Sequence, residues 1–390
     1  MTQLTEGKVI LFGGTDWIGK IYDDTWIYEL DKNTWTKLNT PTHPSKRFDH
    51  GMAQIADGKV LLFGGEIPYF GDTWLFDIKT MNWTELHPNS CPYRRSEFAM
   101  TQLAENQAVL FGGIWDSTSG LFAVDTWVFN LKDTNWDFHI EYWVYNPDGR
   151  EYPMMALLDN SRALLFGGWN ADSLLDDTWI YDDNQKLKSL KWKQIFPKIK
   201  ANPIGQSSMT QIDKNIVLWF GGLDNRRDSM AINETWFFRL RDTTWNQLYT
   251  AIMPPARSLH RITKISDNKV LLFGGDYYIG NKALNDTWLL TIDSIPSSVE
   301  NTLNEDKNNI EVIQSSGDEI IVKYNLLSPG TISLKIFDIH GCEVYRKENQ
   351  LAIEGENREI IPFDNQPEGV YIVFIVIGNN ILYGKFVYIR

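Results

Sequence analysis

The chain is poor in the residues that build the commonest reactive centres. It holds two cysteines, Cys91 and Cys342, in segments of different character. Two distant thiols exclude a disulfide framework and a four-cysteine metal site, and they leave the redox compartment open. Its six histidines, His43, His50, His87, His139, His260 and His340, form no His-x-x-x-His pair and no zinc motif with a glutamate. No run of 18 apolar residues occurs, which excludes a membrane-spanning helix of ordinary length. The first residues, Met1-Thr2-Gln3-Leu4-Thr5-Glu6, lack the basic and apolar regions of a signal peptide. Lys and Arg number 37 against 50 Asp and Glu, a formal net charge of -13, so nucleic acid and anionic membrane are not expected partners. No Gly-x-Ser-x-Gly elbow, phosphate-binding loop or dinucleotide fingerprint is present.

What the chain does have is glycine pairs and tryptophan at a regular spacing. Gly-Gly preceded by Phe begins at Gly13, Gly64, Gly112, Gly167, Gly221 and Gly274, and each pair ends an apolar run such as Lys59-Val60-Leu61-Leu62-Phe63. A Thr-Trp step follows each pair, at Trp26, Trp74, Trp127, Trp179, Trp236 and Trp288, preceded by Asp in five units and by Glu234 in the fifth. A second Trp follows in five units, at Trp35, Trp83, Trp136, Trp192 and Trp245. Each unit reads as four short strands split by turn residues. A four-stranded sheet of about 50 residues cannot bury both faces alone, so the units must stack on one another. Six sheets set radially make a propeller.

Residues 1–293 thus resemble the kelch repeat family, and the resemblance implies a six-bladed β-propeller in which Gly serves tight turns and Trp fills the space between blades. The ring has uneven ends. Met1-Thr2-Gln3-Leu4 matches Met100-Thr101-Gln102-Leu103 inside a first strand, and the sixth unit lacks a second Trp. The expectation is a truncated first blade, with an open sixth blade as the alternative. Residues 294–309 are polar and read as a linker. Residues 310–390 alternate in strands without Trp and are expected to form a small C-terminal β-sandwich of about seven strands. The runs Ser333-Leu334-Lys335-Ile336-Phe337-Asp338, Pro367-Glu368-Gly369-Val370-Tyr371 and Gly384-Lys385-Phe386-Val387-Tyr388-Ile389-Arg390 resemble the C-terminal sorting domain of the type IX secretion system of Bacteroidetes. That resemblance implies passage through the secretion machinery of a Gram-negative bacterium to the outer surface or the medium. A generic accessory sandwich is the alternative.

One periodic feature points to a site. Seventeen residues before the first Gly of each pair stand Arg47, Arg95, Arg150, Ile204 and Arg257. Because neighbouring strands are antiparallel, the start of the first strand and the loop after Gly-Gly share one end of the blade. Those loops carry Trp17, Tyr69 with Phe70, Trp115, Trp169 and Tyr277 with Tyr278, while the fifth carries Arg226 and Arg227. Guanidinium groups beside aromatic rings can hold a carboxylated peptide or glycan. The alternative is that the arginines bond between blades and the aromatics pack locally. His50 and His260 share one repeat position and read as structural. Asp49 and Glu97 share another and could serve acid–base chemistry. Copper radical oxidases of the galactose oxidase type also use a kelch propeller. They need a Cys cross-linked to Tyr and two His, and Cys91 beside Tyr93 has no such pair. The expectation is therefore a monomeric, cofactor-free secreted or surface protein that binds a protein or glycan at the propeller face. A secreted sugar-modifying enzyme of the kelch mutarotase type is the alternative.

Overall fold

The computed structural model describes residues 1–16, 18–115, 122–139, 146–186, 191–224, 230–250, 252–277, 282–292, 310–314, 319–326, 328–338, 343–363, 365–367, 369–377 and 380–388. Those residues form strands and connecting turns, with no helix among them. Contacts divide the chain into two compact units, residues 1–249 with 254–295, and residues 250–253 with 296–390.

The first unit is a ring of six antiparallel sheets, five of four strands and the sixth of three among the described residues. Their first strands are Thr2–Thr5, Gly51–Ala56, Ala99–Ala104, Met154–Asp159, Ser208–Asp213 and Arg261–Ser266. Each adjoins its counterpart in the next sheet, and the sixth adjoins the first. Gln3 N donates to Thr263 Oγ1 at 3.0 Å and Gly7 N to the Ile265 carbonyl at 2.8 Å, which closes the circle.

The apolar core lies between blades. Leu62 and Phe76 of the second sheet pack with Ile10 and Phe12 of the first, and equivalent clusters join every successive pair around to Ile265 and Leu271 against Val9 and Tyr28. The second Trp of five units is the wedge. Trp83, Trp136, Trp192, Trp245 and Trp35 donate Nε1 at 2.8–3.1 Å to Thr25, Thr73, Thr126, Thr178 and Thr287, in each case the Thr of the preceding blade's Thr-Trp step. Each indole also meets the Phe that precedes that blade's Gly-Gly, with ring centroids 4.6–5.5 Å apart. A buried indole needs an acceptor for its N–H, and the repeated Thr supplies it.

The Gly-Gly pair permits the same close stacking. A Cβ on Gly113, whose φ is +89°, would sit 2.4 Å from the Ser96 carbonyl oxygen. Only glycine fits such a left-handed turn against a neighbouring backbone.

The second unit is a β-sandwich. Strands Ile310–Gln314, Glu319–Leu326 and Gly355–Pro362 make one sheet. Strands Gly330–Asp338, Glu343–Ala352, Gly369–Ile377 and Asn380–Tyr388 make the other. Alternate residues Ile320, Val322 and Tyr324 meet Leu334, Ile336, Val373 and Ile375 in a shared core, as the period-two pattern requires.

Candidate functional site

Two residues before five of the six first strands stands a backbone device. Asp49, Glu97, Tyr152, Gln206 and Leu259, each two residues beyond the Arg position, all adopt positive φ between 49° and 60°. Non-glycine residues rarely take this conformation, which costs about 1–3 kcal/mol unless the surroundings enforce it. Here the neighbouring blade enforces it. Glu97 N donates to the Asp49 carbonyl at 3.2 Å, Tyr152 N to that of Glu97 at 2.7 Å and Leu259 N to that of Gln206 at 2.8 Å. The inner rim is thereby stitched between the second and third, the third and fourth, and the fifth and sixth blades.

The loops after Gly-Gly flank this rim. Bridges join Phe48 to Glu66, Ser96 to Ile114, Glu151 to Trp169, Gly205 to Leu223 and Ser258 to Asp276. An axial channel of about 200 Å³ opens here, walled by residues that include Asp49, His50, Glu97, Tyr152, Gln206 and Arg261.

The four arginines that mark the repeat do not face this mouth as free cations, which corrects the expectation that Arg47, Arg95, Arg150 and Arg257 hold a ligand. All four are fully buried. Each pairs in bidentate fashion with the Asp before its own blade's Thr-Trp step: Asp72, Asp125, Asp177 and Asp286. Each also donates to the carbonyl of the first glycine of its pair and, through Nε, to the carbonyl two residues upstream; the set spans 2.6–3.1 Å. The following Trp donates to the same Asp in these four blades. In the fifth blade Ile204 is buried and Glu234 accepts from Trp236 at 2.9 Å. A guanidinium whose fork is filled by carboxylate and carbonyls has no free edge for a ligand. Burial alone would raise the Asp125 and Asp177 pKa values, but the Arg95 and Arg150 contacts overcome it and hold them below the ordinary range.

The aromatics divide. Tyr277 is exposed, while Tyr69, Trp115 and Trp169 are half-buried. Trp169 packs against Gly205 of the next blade, and Phe70 lies 3.9 Å from the Arg47 guanidinium. Trp17, Tyr278, Arg226 and Arg227 lie outside the described residues. His50 stands edge-on to Phe12 at 5.8 Å and His260 to Phe220 at 5.4 Å. Burial pushes the His260 pKa down to about 3, so its ring is neutral. Cys91 is exposed.

What the mouth does concentrate is carboxyl groups. Donor oxygens of Asp49, Glu66 and Glu97 lie within 4.8 Å of one another. Tyr152 Oη donates to Glu97 Oε1 at 2.8 Å and lies 3.3 Å from Asp49 Oδ2. Burial, and then the Asp49 charge, push Glu97 up to about 9, so it carries a proton at neutral pH. Burial raises Asp49 and Glu66 as well, and burial with the neighbouring carboxylates raises Tyr152. The repeat position shared by Asp49 and Glu97 was visible in the sequence. Tyr152, at that same position, and Glu66, two residues beyond Gly64, were missed, although counting two residues past each Arg finds the first.

The fold and this rim define a kelch-type propeller, with a β-sandwich as a separate unit. Residues 1–222 match the KLHDC2/KLHL20/DRC7 Kelch-repeats domain, and the chain belongs to that family. Residues 316–389 match the Secretion system C-terminal sorting domain. Among curated proteins, the chain is 31% identical to an F-box/kelch-repeat protein of Arabidopsis thaliana over 37% of this chain and 31% of that protein. It is 27% identical to Adagio protein 3 of the same plant over 43% of this chain and 27% of that protein. The aligned part therefore spans less than a third of either relative. In fold it is similar to YjhT, with TM-score 0.58 and 15% identity over 75% of this chain and 94% of that one. It is also similar to a fungal alcohol oxidase in complex with copper, with TM-score 0.52 and 11% identity over 99% and 96%.

Proposed function

We propose that the protein is a secreted or surface-attached bacterial binding module, non-catalytic and cofactor-free. Its propeller mouth takes a protein or carbohydrate ligand, and its C-terminal sandwich directs export. The observation that carries this reading is the convergence of five loops and the inner rim on one mouth over a channel of about 200 Å³. That volume is below the roughly 300–1,000 Å³ of pockets that enclose a small ligand, so contact is made at the rim. Tyr277 and Tyr69 offer flat rings there, and the carboxyl groups favour hydroxyl-bearing or basic ligands over acidic ones. The sorting-domain match supports export to the cell surface or medium.

The test is a glycan and peptide array probed with the purified chain and with a Tyr69→Ala/Tyr277→Ala variant. Binding that weakens about tenfold or more at unchanged Tm supports the rim, since each 1.4 kcal/mol of lost contact is tenfold. Equal binding by the variant, or none by either protein, refutes it.

A second reading is a secreted sugar-modifying enzyme of the mutarotase type. It is favoured by one observation, the protonated Glu97 held at 2.8 Å by Tyr152 Oη beside Asp49, which can give and take a proton. Anomeric exchange of free sugars followed by NMR decides it, with Glu97→Gln as the control.

A further inference from the structure

The blades differ at the outer edge of the last one. Five blades end in a strand that carries the second Trp and, three residues on, Leu38, Leu86, His139, Ile195 or Leu248. The indole faces the preceding blade. Leu38, Leu86, Ile195 and Leu248 pack into the interface with the following blade. One outer strand thus serves two interfaces. In the sixth blade the third strand, Thr287–Thr291, pairs with Lys269–Phe273 on one side and, among the described residues, with no strand on the other. The difference shows on both of its faces. Thr25, Thr73, Thr126, Thr178 and Thr235 are buried, but their counterpart Thr287 is exposed. Leu289 is 42% exposed where Ile27, Val128, Ile180 and Phe237 are buried. Leu290 is half-buried where Tyr28, Phe76, Phe129, Tyr181 and Phe238 are buried. Beside Thr287 and Leu289 lies a groove of about 820 Å³, bounded by Lys8, Tyr28, Leu30 and Lys269. An open edge is a template for a further strand, and proteins commonly blunt it with charge or proline. The run Thr287-Trp288-Leu289-Leu290-Thr291 has neither.

We propose that this edge takes up a β-strand of a separate polypeptide with the pattern Trp-x-x-Leu or Trp-x-x-Ile. Main-chain bonds along the edge supply affinity, and side-chain sockets supply specificity. The covered edges define those sockets through their register. In the first blade Trp35 stands opposite Tyr28 and Lys37 opposite Trp26, and Leu38 N donates to the Thr25 carbonyl. By the same register, an incoming Trp stands opposite Leu290 and faces the fifth blade, whose Thr235 is the matching indole acceptor. The aliphatic residue three places on stands opposite Thr287 and enters the groove beside Leu289. A basic residue between them lies against Trp288, as Lys37 Nζ lies 6.0 Å from the Trp26 ring. The chain's own Trp-x-x-Leu and Trp-x-x-Ile segments, at Trp35, Trp83, Trp192 and Trp245, are each paired within a blade. Neither this chain nor a second copy can lend one without opening that blade. Residues 293–309 contain no aromatic residue and do not match the pattern. The strand site goes beyond the proposed function, since it uses no residue of the mouth.

The probe is a synthetic peptide copying residues 32–40, Lys32-Asn33-Thr34-Trp35-Thr36-Lys37-Leu38-Asn39-Thr40, titrated into the full chain by calorimetry. Saturable one-to-one binding is expected. Peptide at about a hundred times its Kd is expected to raise the propeller Tm by roughly 4–5 °C. The same peptide with Trp35→Ala is expected to bind at least about tenfold more weakly. In the protein, Leu289→Lys sets a charge where the incoming Leu lands and is expected to weaken the parent peptide by about tenfold or more. Leu289 is exposed, so the variant's own Tm is expected within about 1 °C of the parent. A peptide with Leu38→Asp repeats that test without altering the protein. Absence of binding overturns the proposal. So does binding that Trp35→Ala, Leu38→Asp and Leu289→Lys all leave unchanged. A dimer in sedimentation that the peptide dissociates also overturns it, in favour of a second copy at the edge. Array binding at the mouth is read separately, with Tyr69 and Tyr277, so either reading can fail while the other stands.

Discussion

Replacing Asp125 by Asn removes the charge that Arg95 faces while keeping the side-chain volume. Arg95 is fully buried and Asp125 is 16% exposed at its side chain. Breaking such a pair from one side leaves a buried guanidinium without its counter-ion, at a cost of about 3–5 kcal/mol. The propeller unit has about 290 residues; at roughly 2.1 cal/mol/K each, its unfolding entropy is about 0.6 kcal/mol/K, so the expected fall in Tm is roughly 5–8 °C. Calorimetry of the Asp125→Asn variant reads this directly. Replacing both partners, as Arg95→Met/Asp125→Leu, removes the desolvated charges together and is expected to return Tm to within about 2 °C of the parent, less the acceptor lost to Trp127 Nε1. Ligand affinity is expected to be unchanged in both. An Asp125→Asn variant that melts within about 1 °C of the parent, or one that keeps its Tm and loses ligand, refutes the structural role and returns Arg95 to the binding face.

Trp136→Phe leaves Thr73 Oγ1 without its donor and opens space between the second and third blades; a loss of about 1–3 kcal/mol, or roughly 2–5 °C, is expected by thermal melting. Gly113→Ala drives a Cβ to 2.4 Å from the Ser96 carbonyl, while Gly14→Ala, at φ +102°, meets nothing within 4 Å. The first is expected to lower Tm by more than about 5 °C and the second by a few degrees, from φ strain of roughly 1–2 kcal/mol alone; equal effects refute the crowding argument. Glu97 is pushed up to about 9 in the folded chain from an ordinary value of 4.5. A raised folded-state pKa contributes stability that is full below the unfolded value and is lost as pH rises through the folded one. Urea midpoints should therefore fall between about pH 4.5 and 9, and Glu97→Gln should flatten that slope.

The ring was legible because its determinants are local: a Phe-Gly-Gly stop, a Thr-Trp step and a second Trp recur in order, and each has one structural use. The sandwich was legible from its alternation. The arginines misled for a physical reason. A charged residue at a fixed spacing near a strand start reads as a surface feature until its partner is known. That partner, the Asp before Thr-Trp, lies 25 to 30 residues on and meets it only when the blade folds. The carboxyl cluster was half legible. Asp49 and Glu97 share a repeat position, but their approach to Glu66 and Tyr152 depends on the angle between adjacent blades, which no local pattern encodes.

The inner rim has one more consequence. Its links are made by main-chain N–H and C=O groups, and the residues that make them are Asp49, Glu97, Tyr152, Gln206 and Leu259, five different side chains on one backbone shape. That stretch of rim therefore works like a bezel whose stones can be exchanged. A substitution there rewrites the charge and hydrogen-bonding character of the mouth and leaves the setting intact, so selectivity is adjustable one residue at a time without reopening the question of whether the ring folds.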